Sequence, residues 1–244
     1  MNPLVSEFIG TFILILLGVG ANAANSLEKS YAQNSGWVFV TLGWGLAVFV
    51  AVIVAGPSSG AHINPAVTIG LATAGLFPWA NVGSFILAQI GGAMLGAFLA
   101  WVTYYKQYLA TEDNDTKLGT FATGPAVAHK PLNFFNELIG TFVLIFVILH
   151  IAGPTFEADN IKDATIGLGS VGALPVALLV VAVGLGLGST TGYAINPARD
   201  FGPRLVHTLV PMPRGKSNWG YSWIPILGPI TGAVLAAGLY MWVT

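Results

Sequence analysis

Two Asn-Pro-Ala triplets, Asn64-Pro65-Ala66 and Asn196-Pro197-Ala198, stand 132 positions apart in very apolar surroundings. Asn is among the best helix caps and Pro is favoured at the first helical position, so each triplet reads as a helix start. The helix expected after the first runs to about residue 76, roughly 18 Å at about 1.5 Å per residue, and crosses only half of a ~30 Å hydrocarbon core. Two carboxylates, Glu7 and Glu137, fall inside apolar stretches, and an Arg199-Asp200 pair follows the second triplet. The chemistry these types suit is recognition of a neutral solute. Half-helix N-termini carry positive dipole ends that oppose a cation. The carbonyls of Gly60, Ala61, His62, Tyr193, Ala194 and Ile195 can serve as acceptors, and the two Asn amides as donors.

These stretches need elements to hold them at membrane depth, because irregular backbone survives there only when buried in protein or lining a watery cavity. The 244 residues are 55% hydrophobic and 8% charged, against roughly 25% charged in a soluble domain. That is the composition of an integral membrane protein. A net charge of -1 without clustered Lys and Arg excludes a nucleic-acid partner. With no cysteine there is no disulfide or thiolate site, and four scattered His give no metal-ligand spacing, so no metal or cofactor is expected.

Six spans are read at about residues 4–24, 37–55, 80–104, 133–152, 171–188 and 222–243. Residues 4–17 followed by Ala21-Asn22-Ala23 resemble a cleaved signal, but no basic residue precedes them and Glu7 interrupts them, so they count as the first span. Residues 56–60, Gly-Pro-Ser-Ser-Gly, read as a break before the first short helix. The second short helix runs to about residue 210. Residues 106–132 read as an ordered or partly ordered loop over one mouth, and residues 155–165 as another loop.

The second half replays the first. Ser6-Glu7-Phe8-Ile9-Gly10-Thr11-Phe12 matches Asn136-Glu137-Leu138-Ile139-Gly140-Thr141-Phe142 at an offset of 130. The chain 1–244 is therefore read as one all-α membrane domain: repeat 1–105, connecting loop 106–132 and repeat 133–244. Three spans per half is an odd number, which makes the repeat inverted about an axis in the membrane plane. Glycine pairs four apart, Gly92 with Gly96, Gly184 with Gly188 and Gly228 with Gly232, suit close helix packing in lipid.

The paired triplets, the matched Glu7 and Glu137, and Gly60-Ala61-His62 resemble the major intrinsic protein (aquaporin) family over nearly the whole chain. The resemblance implies six spans and two re-entrant half-helices, a pore in each subunit of a homotetramer, and residence in the plasma membrane. It also implies an aromatic/arginine selectivity filter at Trp44, Gly184, Tyr193 and Arg199. Water-selective members carry His at the position of Gly184 and Phe at that of Trp44, so glycine here implies a wider constriction. Asp200, Arg204 and Pro225-Ile226 resemble the glycerol-facilitator pattern, from which Tyr193 departs, since Phe is usual there. The expected function is a passive channel for glycerol and other small uncharged solutes, with water.

The alternatives are a strict water channel and a proton-coupled secondary transporter. The latter would use Glu7 or Glu137 as a relay; the bland reading makes them braces for the half-helices. Arg199 either faces the pore or pairs with Asp200 to hold the loop. An intramembrane enzyme lacks any visible nucleophile–base pair. His62 is read as pore-lining and His150 as a core residue. Orientation is contested. Lys29, Lys106, Lys117, Lys130, Arg214 and Lys216 lie on one side and Lys162 on the other, which by the positive-inside rule puts the basic side in the cytoplasm. The family's cytoplasmic termini put it outside, and that orientation is adopted.

Overall fold

The computed structural model describes residues 1–153 and 167–244; the loop read at 155–165, with Lys162, lies outside them. Ten α-helices and no strands occur among the described residues: α1 Pro3–Ser26, α2 Trp37–Ser59, α3 Pro65–Thr73, α4 Val82–Thr103, α5 Tyr105–Ala110, α6 Asn114–Phe121, α7 Lys130–His150, α8 Leu174–Leu187, α9 Pro197–Leu209 and α10 Ile224–Val243. Six segments are long and apolar enough to cross a membrane: α1, α2, α4, α7, α8 and α10, with short 3-10 turns leading into α4 and α8. The other two helices of note are α3 and α9. At 9 and 13 residues they reach about 14 and 20 Å, short of a ~30 Å core.

The two halves pack alike. α1 lies along α4 as α7 lies along α10, and α2 crosses to α8. Small residues set these distances. A Cβ on Gly92 would stand 2.2 Å from the Phe8 carbonyl oxygen, and one on Gly232 would stand 2.2 Å from that of Leu138. Alanine fits neither contact, so the spaced glycines let backbones touch where lipid offers no hydrophobic drive between helices.

Several boundaries differ from the sequence reading. The break expected at residues 56–60 comes one turn later: α2 carries Pro57 inside it and ends at Gly60, whose φ of +82° is a left-handed cap. Gly56 has no Cβ to meet the proline ring, which removes part of the usual penalty before a proline. α3 stops at Thr73 rather than near 76, because Gly75 (φ +75°) turns the chain and lets the Leu76 N–H reach the Leu71 carbonyl at 2.9 Å. The region 106–132 holds α5 and α6. Asp113 caps α6 through the Thr116 N–H (2.8 Å) and hydroxyl (2.5 Å), and those bonds hold its carboxyl below the usual carboxylate range.

Candidate functional site

The approach to each half-helix is strained in the same way. Gly60, Ala61 and Ile63 have φ of +82°, +51° and +43°; Gly192, Tyr193 and Ile195 have +80°, +34° and +42°. Positive φ at a β-branched residue is a real outlier, costing on the order of 1–3 kcal/mol. Two carboxylates hold it. Glu7 Oε1 accepts from the His62 N–H (2.9 Å) and the Ser59 hydroxyl (2.6 Å), and Oε2 accepts from the Ile63 N–H (2.7 Å) and Gln89 Nε2 (2.7 Å). Glu137 repeats this: Oε1 accepts from Thr191 Oγ1 (2.7 Å) and the Ala194 N–H (3.0 Å), Oε2 from the Ile195 N–H (2.9 Å). Both carboxylates are buried. Their oxygens are occupied by backbone and side-chain donors, which matches bracing geometry better than a proton path. Gln89 escaped the sequence reading, although a lone amide in an apolar span was a usable signal.

With the N–H groups turned toward the carboxylates, the opposite edge of the backbone meets a cavity of about 150 Å³. Gly60, Ala61, His62, Ile63 and Asn64 line it from one half, and Tyr193, Ala194, Ile195 and Asn196 from the other. Among the described residues no protein donor reaches the carbonyls of Gly60, Ala61, His62, Tyr193 or Ala194. The two half-helices meet here through crossed bonds. Asn64 Nδ2 donates to the Ile195 carbonyl and Asn196 Nδ2 to the Ile63 carbonyl, each at 2.9 Å. Their Oδ1 atoms accept from the Ala66 N–H (2.8 Å) and the Ala198 N–H (3.0 Å). Pro65 and Pro197 open the helices beside these caps. Each amide keeps one further N–H. The remaining wall is apolar, with Leu14, Val48, Val67, Leu144 and Val180 among its residues. His62 belongs to this wall, its Nδ1 3.1 Å from Thr68 Oγ1. His150 is exposed at the end of α7 rather than in the core, with Nδ1 2.7 Å from the Phe146 carbonyl oxygen.

A second cavity, about 240 Å³, lies beyond the first. Trp44, Tyr193 and Arg199 line both, so they stand at the boundary. The Arg199 guanidinium carbon is 4.1 Å from the Trp44 ring centroid, and its Nη1 donates to the Phe121 carbonyl at 3.1 Å. Gly184 lines neither cavity. A Cβ there would stand 2.9 Å from Tyr193 Cζ and from Thr41 Cγ2, and one on Gly188 2.6 Å from Tyr193 Cδ1. The Tyr193 ring occupies the space above Gly184 and Gly188, edge-on against Trp37. The Trp37 indole N–H donates to the Gly184 carbonyl at 2.9 Å.

Asp200 does not pair with Arg199. Its Oδ1 accepts from Arg204 Nε (2.8 Å), and its Oδ2 accepts from Arg204 Nη2 (2.9 Å), Thr123 Oγ1 (2.7 Å) and the Thr123 N–H (2.8 Å). Arg204 also donates to the Thr123, Ser217 and Asn218 carbonyls. Asp200 thus fastens the segment after α6 to α9, one residue from the group that faces the cavity. Among the described residues no three His, Asp or Glu side chains could hold a metal ion.

Six apolar spans around two opposed half-helices, with unpaired carbonyls along a buried cavity, define a multi-pass membrane channel of the aquaporin-like fold. The chain belongs to the major intrinsic protein family, whose model matches residues 1–240. It is 49% identical over 243 residues to a probable glycerol uptake facilitator protein of Thermotoga maritima, 99% of each chain being covered. It is 48% identical over 237 residues to the glycerol uptake facilitator protein of Streptococcus pneumoniae, 97% of each being covered. The X-ray structure of the aquaglyceroporin from Plasmodium falciparum superposes with a TM-score of 0.77 at 30% identity, over 97% of this chain and 93% of that one.

Proposed function

We propose that the chain is a passive channel for glycerol and similar small uncharged polyols, also passing water and rejecting ions and protons. The observation that carries this is the boundary between the two cavities, which an indole, a phenol ring and a guanidinium 4.1 Å from the indole centroid line together. A polyol has a carbon side and a hydroxyl side. Trp44 and Tyr193 suit the first; Arg199, with donors only, suits the second. Below them the carbonyls of Gly60, Ala61, His62, Tyr193 and Ala194 accept hydrogen bonds from the hydroxyls in turn, while Asn64 and Asn196 donate at the centre; the Ile195 carbonyl, expected in that row, is taken by Asn64. In this reading Trp44, Tyr193 and Arg199 act as the selectivity filter, Gly184 seats Tyr193, and Glu7, Glu137 and Asp200 brace. The close relatives' names support the same solute class.

The working unit on this proposal is one channel domain per subunit of a homotetramer in the plasma membrane, with repeats 1–105 and 133–244 joined over the outer mouth by 106–132. Two of the six basic residues that oppose this orientation are bound into the fold. Buried Lys117 donates to the Pro213 carbonyl at 2.9 Å, and Arg214 donates to the Val210 and Thr208 carbonyls. The test is swelling of reconstituted proteoliposomes over water, glycerol, urea and larger polyols. Glycerol entry no faster than in empty vesicles ends the proposal; water entry alone leaves the strict water channel.

Two substitutions sharpen it. Arg199→Ala removes a fixed positive charge from the boundary. A unit charge at about 4 Å acts with ~4 kcal/mol at an effective dielectric of ~20, so proton or cation leak, read with a pH-sensitive dye, should rise at least about tenfold. Gly184→Ala would set a Cβ 2.9 Å from Tyr193 Cζ, too close for the ring to keep its place, and so pushes it toward the pathway. Glycerol permeability should fall about threefold or more with water permeability nearly kept, since overpacking acts through small displacements. A stopped-flow pair of measurements checks it, and equal losses for both solutes would contradict it.

A further inference from the structure

α1 holds Trp44 at two points. Gly18 and Asn22 sit one helical turn apart and so share a face. A Cβ on Gly18 would stand 2.3 to 2.5 Å from three atoms of the Trp44 ring, so the indole lies flat against bare backbone. At its other end, Trp44 Nε1 donates to Asn22 Oδ1 at 3.0 Å. Asn22 is itself fixed, its Nδ2 donating to the Thr120 carbonyl at 3.1 Å. The next carbonyl along, that of Phe121, accepts from Arg199. The bonds close a ring: Asn22 holds the indole, the indole faces the guanidinium, and both are referred to adjacent carbonyls at the end of α6. At the offset of the repeat, Ile148 and Ala152 occupy the corresponding places, and neither can do this.

We infer that Asn22 is a specificity-determining positioning residue, which keeps the Trp44 indole N–H out of the pathway and presents the ring as an apolar plate. This rests on the channel reading above. With its one donor engaged, Trp44 offers a passing solute only carbon, and the hydroxyl groups must turn toward Arg199 and the carbonyl row. Without the Asn22 acceptor the buried N–H lacks a partner. The ring then leaves its seat on Gly18 to find one, and the passage closes first to the bulkier solute.

The test is a double-mutant cycle in proteoliposomes: unmodified protein, Asn22→Leu, Trp44→Phe, and both together. The readout is the ratio of glycerol to water permeability in the same vesicles, which does not depend on the amount of folded protein. Phenylalanine has no N–H to hold. Asn22→Leu should therefore lower the ratio about fivefold beside Trp44 and less than about twofold beside Phe, as one coupled hydrogen bond predicts. Should Asn22→Leu yield no protein, Asn22→Ser in both backgrounds gives the same comparison. An equal change in both backgrounds, or none in either, overturns the inference. If the unmodified protein passes no glycerol, the polyol reading fails by itself, and the same cycle run on the ratio of urea to water still decides the role of Asn22.

Discussion

Asp200→Ala is expected to leave little folded protein in the membrane. Arg204 is wholly buried with five hydrogen bonds, and Asp200 supplies its only countercharge among the described residues. Removing one partner of a buried ion pair costs about 3–5 kcal/mol, because the other charge stays behind uncompensated. That compares with a total stability of about 5–15 kcal/mol for a typical domain. The same substitution takes two acceptor contacts from Thr123, so the segment after α6 loses its anchor on α9. Size-exclusion profiles and thermal unfolding in detergent read this directly. Asp200→Leu combined with Arg204→Met, which removes both charges, should recover much of the loss. A melting temperature for Asp200→Ala within a few degrees of the unmodified protein would contradict the role given to the pair.

The second large effect is at Glu137. Glu137→Ala strips acceptors from the Thr191 hydroxyl and the Ala194 and Ile195 N–H groups at once. Hydrogen bonds to a charged group contribute about 1.5–3 kcal/mol each. They oppose the backbone strain at Tyr193 and Ile195. Without them residues 192–196 relax, the carbonyls leave the cavity, and Asn196 loses its placement at the start of α9. Solute permeability per unit of reconstituted protein should fall at least about tenfold. Glu137→Gln, which keeps an acceptor for two of the three donors, should fall less. A Glu137→Ala protein with unimpaired flux would show that the loop holds its shape without the carboxylate.

Much of this was legible in the sequence because it rests on local rules. Asn before Pro favours a helix start, so Asn64 and Asn196 located both half-helices. The offset between Glu7 and Glu137 reveals the repeat in the sequence alone. Boundaries that depend on local strain were not legible: Pro57 looked like a break, yet α2 absorbs it beside Gly56. Contacts between residues distant in sequence were hidden as well. That Tyr193 fills the space over Gly184 depends on how α2 and α8 converge on it; Asp200 and Arg204, by contrast, stand four apart on α9, so that pair was open to the helix-neighbour rule. Asn22 and Gln89 carried a weak signal, as lone amides in apolar runs, but their partners Trp44 and Glu7 could be found only in three dimensions.

The crossed Asn64 and Asn196 bonds bear on how transport proceeds in time. Each half of the protein grips the other's strained loop where the two half-helices meet. A carrier that alternates its exposure would rock one half against the other, and here that motion would tear both grips apart at the point of passage. The two halves are better described as a single rigid tube. Solute crosses it without a conformational cycle, and flux keeps rising with the gradient where a carrier's would level off.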